Sequence, residues 1–184
     1  MEGGRPRPPL GTMRLAGTLA LQCICAYSWI MPLPERKRPV HWPPAERHNR
    51  SIIIFLTVCT KDRRPILAEE RVHAALVAAW AQADNWRIGR YVVLPDHVHL
   101  FCAPWDWPPP PLKTWVTYWK RLVTKETGLR GIWQEGFWDT QLRHHESYGA
   151  KWDYVQQNPV RHGMVHDASD WPYQGEIEVL DWHD

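Results

Sequence analysis

The sequence predicts an α+β sandwich, a sheet of few strands with helices packed on it. Three observations lead there. Ser51 to Thr60 is a dense β-branched and apolar run. Apolar residues recur at i, i+3, i+4 and i+7 in two later segments. The segments alternate as strand, helix, strand, helix, strand, helix. With 184 residues, 44% apolar and 23% charged, the chain has a globular composition and room for one ordinary domain plus extra sequence.

Taken in order, Ser51 to Thr60 is too apolar for a helix surface and is expected as a buried strand. From Glu69 to Asn85, residues Val72, Ala75, Leu76, Ala79, Trp80 and Ala83 share one helical face, which should cover one side of the sheet. Arg87 to Leu94 reads as a strand, Pro95-Asp96 breaks it, and His97 to Cys102 resumes the extended pattern until the prolines at 108–111. A second amphipathic helix carries Leu112, Trp115, Val116, Trp119, Leu122 and Val123 on its apolar side. Lys113, Lys120, Arg121 and Lys125 lie on the other, and Gly128 caps it. Gly131 to Arg143 is expected as a loop with a short strand, and Ser147 to Gln157 as a third helix that Pro159 stops or kinks.

The first fifty residues differ from the rest. They hold eight of the 17 prolines and a basic start at Arg5, Arg7 and Arg14. The apolar stretch Leu15 to Met31 has the position of a secretory signal. It is interrupted by Gly17, Thr18, Gln22 and Ser28, and it is short for a membrane span. Residues 1–47 are therefore expected as a disordered Pro-rich extension, with Met31 as an alternative start. The domain proper is expected over 48–175 and a C-terminal tail over 176–184.

The net charge of +2 is uneven, because eight of the 22 Lys and Arg but only three of the 20 Asp and Glu lie in residues 1–50. The remainder is slightly acidic, so bulk charge does not argue for nucleic acid. A DNA-handling role must rest on local clusters and motif chemistry. Cys23, Cys25, Cys59 and Cys102 form no CxxC pair and no zinc spacing, which suits reduced thiols in a reducing cytoplasm. Most of the 13 Trp are expected in the core, with any exposed ones as stacking platforms for bases. No Gly-rich phosphate loop points to a nucleotide cofactor.

Two segments carry chemistry. In Leu94-Pro95-Asp96-His97-Val98-His99-Leu100-Phe101 the two histidines are separated by one apolar residue on a strand. Period-two alternation then puts both imidazoles on one face and Val98 on the other. Two neutral imidazoles side by side are half of a divalent-metal site, suited to Mn²⁺, Zn²⁺ or Mg²⁺ according to what completes it. Asp96 is placed to orient one ring. In Trp152-Asp153-Tyr154-Val155-Gln156-Gln157-Asn158-Pro159, Trp152 and Val155 would face the core and Tyr154 would point elsewhere. Gln157 and Asn158, three and four positions on, share the tyrosine's helical face, although Pro159 disturbs the geometry of Asn158.

Taken together with Phe137-Trp138-Asp139-Thr140-Gln141-Leu142-Arg143 and the run Pro159-Val160-Arg161-His162-Gly163, these blocks resemble the single-tyrosine HUH transposases, in particular the REP-associated tyrosine transposases of bacteria. The likeness spans roughly Ser51 to Tyr173 and leaves out the first fifty residues. It implies a ferredoxin-like sandwich with a central antiparallel sheet. It also implies a metal held by His97 and His99, with Asn158 (alternatively Gln157) as third ligand, and Tyr154 as nucleophile. The activity so implied is cleavage and strand transfer of single-stranded DNA through a 5′-phosphotyrosine, at hairpin or REP-like sequences, with Mg²⁺ or Mn²⁺ as cofactor. Lys113, Lys120, Arg121, Lys125 and Arg143 are the expected DNA contacts, with His144 and His145 beside Arg143. A monomer is expected, with a homodimer as the alternative, and no membrane partner. The competing reading is a domesticated relative that binds hairpin DNA without cutting it. A hydrolase of small substrates would use the histidine pair but would not need Tyr154.

Overall fold

The computed structural model describes residues 52–106, 108–142 and 148–181. The expected N-terminal extension, and Arg143, His144 and His145, lie outside the described residues. β1 (Ile54–Cys59) and β3 (His97–Pro104) pair at the middle of a five-stranded antiparallel sheet. β4 (Trp138–Gln141) pairs with β1, β2 (Trp86–Leu94) with β3, and β5 (Gln174–Glu176) with β2. With α1 (Glu70–Gln82) and α2 (Leu112–Thr127), the order β4-β1-β3-β2 is the split βαβ arrangement of ferredoxin-like folds, so the expected fold class holds. β5 extends the sheet at one edge.

The pleat divides the molecule into two layers of core. Ile54, Leu56 and Val58 of β1 and Val98, Leu100 and Cys102 of β3 face α1 and α2. Both helices bury the stripe their spacing predicts, Val72, Ala75, Leu76, Ala79 and Trp80 on one and Leu112, Trp115, Val116, Trp119 and Val123 on the other. Indoles dominate this layer. Trp119 is fully buried and meets Trp80, Trp115 and Trp133 edge to face. Trp115 Nε1 donates to the carbonyl oxygen of Ala83 at 2.6 Å, which ties α2 to the end of α1. Truncating Trp119 to alanine would cost about 3–5 kcal/mol through the cavity it leaves.

The opposite face is covered more thinly. Ile53, Val92, Leu94, Phe101 and Ala103 pack against Tyr148 and Val155 of α3 (Tyr148–Gln156), with Leu142 and Leu180 completing the cluster. Tyr148 Oη accepts the backbone N–H of Arg90 at 3.1 Å, and the Arg90 guanidinium lies over the Tyr148 and Trp152 rings. A side chain at Gly89 would strike Leu180 and Tyr148 Oη, both 2.7 Å from an ideal Cβ, so this strand position has to be glycine for the layer to close.

One expectation is corrected and another holds. The packed domain runs past residue 175, because β5 continues to Glu176, the N–H groups of Ile177 and Glu178 donate to Gly89 and Ile88, and Leu180 is buried. The third helix ends as Pro159 was expected to make it, with a break at Gln157. Pro159 has no N–H for the Val155 carbonyl, so the chain turns and restarts as α4 (Asn158–Arg161) with Pro in its first turn. Among the described residues, no helix is long and apolar enough to cross a membrane.

Candidate active site

His97 and His99 both project to the α3 side of the sheet, their Nε2 atoms 3.1 Å apart. Register decides what surrounds them. His97 lies opposite Cys59 and His99 opposite Thr57, so the β1 hydroxyl meets the second imidazole, Thr57 Oγ1 to His99 Nδ1 at 2.9 Å. Phe55, two residues earlier on the same face, stacks on the His99 ring at 5.3 Å.

The turn that delivers the histidines is clamped from outside the hairpin. The Thr60 N–H and hydroxyl both donate to the Asp96 carbonyl oxygen, and the Leu67 N–H donates to that of Pro95. The Asp96 carboxylate folds back on its neighbour, Oδ1 2.6 Å from His97 Nδ1, while Oδ2 takes Arg63 Nε at 2.7 Å. Arg63 and Asp62 have φ of 55° and 56°, the left-handed region that non-glycine residues enter at a cost. That turn brings Arg63 to Asp96 and, through Nη1, to the Cys59 sulfur.

These neighbours set the charges. Burial pushes His97 down, and Arg63 and His162 add to it, against the opposing pull of Asp96. Burial also pushes His99 well down, helped by His97, Arg63, Arg161 and His162. Burial alone would raise Asp96, but its bond and charge interaction with His97, together with Arg63, outweigh it and hold the carboxyl low. Both imidazoles are thus neutral near neutral pH, the form in which histidine binds metal.

The donor set fits a divalent cation. With each Nδ1 proton directed at its oxygen partner, both Nε2 lone pairs face one another at 3.1 Å, an arrangement that repels until a positive charge joins them. Two nitrogens at about 2.1 Å from an octahedral cation are themselves roughly 3.0 Å apart, close to the observed spacing. Among the described residues no group of three or more His, Cys, Asp or Glu could hold a metal. A further ligand would have to be an amide, water or substrate oxygen.

Tyr154 is 47% exposed, with its neighbour Val155 in the core. Asn158 is buried at the start of α4 and its Oδ1 accepts from Arg161 Nη2 at 2.8 Å, whereas Gln157 sits exposed at the break between the helices. Arg161 ties Asn158 to the tyrosine helix. Its Cζ lies 4.1 Å from the centroid of the Tyr154 ring, and its charge is among those acting on His99.

The basic stripe of α2 lies across the sheet from the imidazoles, since α2 packs on the other face. Lys113, Arg121 and Lys125 are exposed. Lys120 departs from expectation: its Nζ donates to the carbonyl oxygens of Gln134 and Gly136 and lies over the Trp133 ring, and burial pulls its pKa down to about 8. Its ammonium is committed to a loop. Thr57, Arg63 and Arg161 were not singled out from the sequence. Arg161 had a signal, being three residues past Asn158 on a helical face. Arg63 had none, because its reach depends on the left-handed turn.

No family model matches the chain. Over 126 residues it is 36% identical to the REP-associated tyrosine transposase of Escherichia coli (strain K12), covering 65% of this chain and 73% of that protein. Over 154 residues it is 30% identical to the Haemophilus influenzae (strain Rd) protein named for the same family, covering 71% and 86%. Its fold is similar to the solved structure of a REP-associated tyrosine transposase bound to a REP hairpin, with a TM-score of 0.58 and 29% identity over 68% of this chain and 76% of that one. On this relatedness the chain belongs to the REP-associated tyrosine transposases.

Proposed function

We propose that this chain cuts and rejoins single-stranded DNA through Tyr154, at hairpin or REP-like sequences. The observation that carries the reading is the pair of neutral imidazoles on the sheet face that also bears the exposed Tyr154 helix. The relative bound to a REP hairpin supports the choice of substrate.

A phosphodiester repels nucleophiles because its oxygens are negative, so the site must offset charge as well as aim the phenol. His97 and His99 would hold Mg²⁺ or Mn²⁺, with Asn158 as third ligand and Gln157 as its alternative. When bound, that cation would polarise the scissile phosphate. Asp96 and Thr57 fix the two rings by their Nδ1 atoms and keep both Nε2 atoms turned inward. Tyr154 Oη forms a bond to phosphorus, and the bond from phosphorus to O3′ breaks with its electron pair on O3′. The phenol loses its proton and O3′ gains one, leaving a 5′-phosphotyrosine and a 3′ hydroxyl. The step conserves one ester bond, so a different 3′ hydroxyl can reverse it, which is strand transfer.

Lys113, Arg121 and Lys125 would add sequence-independent affinity for a duplex arm from the layer beyond the sheet, away from the scissile phosphate. The test is incubation of the protein and its Tyr154→Phe variant with a hairpin oligonucleotide bearing single-stranded flanks, in Mn²⁺. A protein-DNA adduct that survives denaturant and is absent from the variant is expected. Binding without any adduct would refute cleavage and leave a hairpin-binding protein.

A further inference from the structure

Arg161 does not extend into solvent as an ordinary last-turn cation does. Its guanidinium carbon lies over the Tyr154 ring, Cζ to centroid 4.1 Å, at the close end of the cation–π range. Nη2 donates to the Tyr154 carbonyl oxygen and to Asn158 Oδ1. Both hydrogen bonds leave from the same nitrogen. Among the described residues, Nε and Nη1 make no further hydrogen bond, and the residue is exposed. Nη1, which lies on the Cδ side of the guanidinium, keeps its N–H groups for a charged acceptor such as a phosphate oxygen.

We propose that Arg161 binds the scissile phosphodiester, its Nη1 donating to a non-bridging oxygen while the guanidinium holds the Tyr154 phenol against that phosphate. The inference rests on Tyr154 as the nucleophile. As Oη bonds to phosphorus and the bond to O3′ breaks, negative charge grows on the non-bridging oxygens, and a fixed guanidinium offsets it without changing protonation. No co-reactant is required. Lysine would carry the same charge but could not bond the Tyr154 carbonyl and Asn158 through one nitrogen while offering a second to the phosphate, so Arg161→Lys should recover little. An arginine that only staples α3 to α4 would not sense the charge of the substrate phosphate, and that difference separates the two roles.

The wild-type adduct first maps the cleaved linkage in a hairpin oligonucleotide with single-stranded flanks. The same oligonucleotide is then made with a neutral methylphosphonate at that one linkage. Binding of both oligonucleotides is measured in chelator, in a Tyr154→Phe background with and without Arg161→Gln. The methylphosphonate should weaken binding about tenfold when Arg161 is present and hardly at all when it is replaced, the size expected for a hydrogen bond to a charged group. Each protein is compared with itself, so a change in folding stability cancels. Arg161→Gln alone should slow adduct formation on the order of a hundredfold, as loss of one donor to developing charge does. Equal methylphosphonate penalties in the two backgrounds would overturn the proposal while leaving the nucleophile intact. Failure of the wild type to form any adduct would remove the nucleophile and this proposal with it.

Discussion

The Asp96 carboxylate is bonded to the side chain of the next residue in the chain, Oδ1 2.6 Å from His97 Nδ1. Neighbouring side chains on a strand point apart, so this contact exists only because Asp96 lies in the turn and is pulled back by Arg63 on its other oxygen. The left-handed backbone at Arg63 costs on the order of 1–3 kcal/mol, spent on holding one imidazole. Asp96→Asn keeps an acceptor but loses the charge, and it should weaken Mn²⁺ binding about tenfold to a hundredfold by titration calorimetry. Unchanged affinity would mean that the orientation of His97 is set by packing alone.

Acid should destabilise the chelated protein. Burial is the leading cause that lowers both His97 and His99 below their ordinary value, so the folded state refuses protons that the unfolded chain accepts. Above about pH 6.5 both states are neutral and the difference vanishes, while below it the unfolded chain gains protons and stability falls. The loss should be larger for His99, which burial pushes well down, than for His97, where Asp96 opposes the burial. Urea midpoints from about pH 7.5 to about pH 5.5 should drop for the wild type and drop less for His99→Gln. A slope equal in both proteins would assign the acid sensitivity elsewhere.

Lys120 and its neighbours on α2 should separate cleanly. Lys120→Met removes two hydrogen bonds to the exposed carbonyl groups of Gln134 and Gly136, which water can replace, and should cost about 0.5–1.5 kcal/mol in denaturant unfolding, with hairpin affinity nearly unchanged. Replacing Lys113, Arg121 and Lys125 together should do the reverse, leaving stability alone and flattening the salt dependence of DNA binding by about 0.9 for each duplex phosphate that is no longer neutralised. A salt slope identical to the wild type's would remove α2 from the DNA interface.

Gly89→Ala should destabilise the α3 layer without touching either imidazole. The added methyl meets the side chains of Leu180 and Tyr148 inside van der Waals contact, and both are buried, so one must move. A cost of about 1–3 kcal/mol is expected from overpacking. Mn²⁺ affinity at the histidine pair should hold, and its loss would show that closure of α3 also sets the metal site.

Much of this molecule was legible in the sequence because local periodicity is a property of the chain itself. Alternation in His97-Val98-His99 put both imidazoles on one face, the spacing of Val72 to Trp80 and of Leu112 to Val123 gave the two large helices, and Val155 turned Tyr154 outward. Tertiary structure decided the partners. Thr57 meets His99 across 42 residues only because β1 pairs with β3 in one register. Lys120 looks like one more solvent cation until a loop 14 residues away presents its carbonyl groups. The same packing put the α2 stripe across the sheet from the imidazoles, drew Leu180 of the expected tail into the core and laid Arg161 on Tyr154. Hydrophobic spacing specifies which face of an element is buried, whereas hydrogen bonds and ion pairs act over a few ångströms and depend on how distant elements dock.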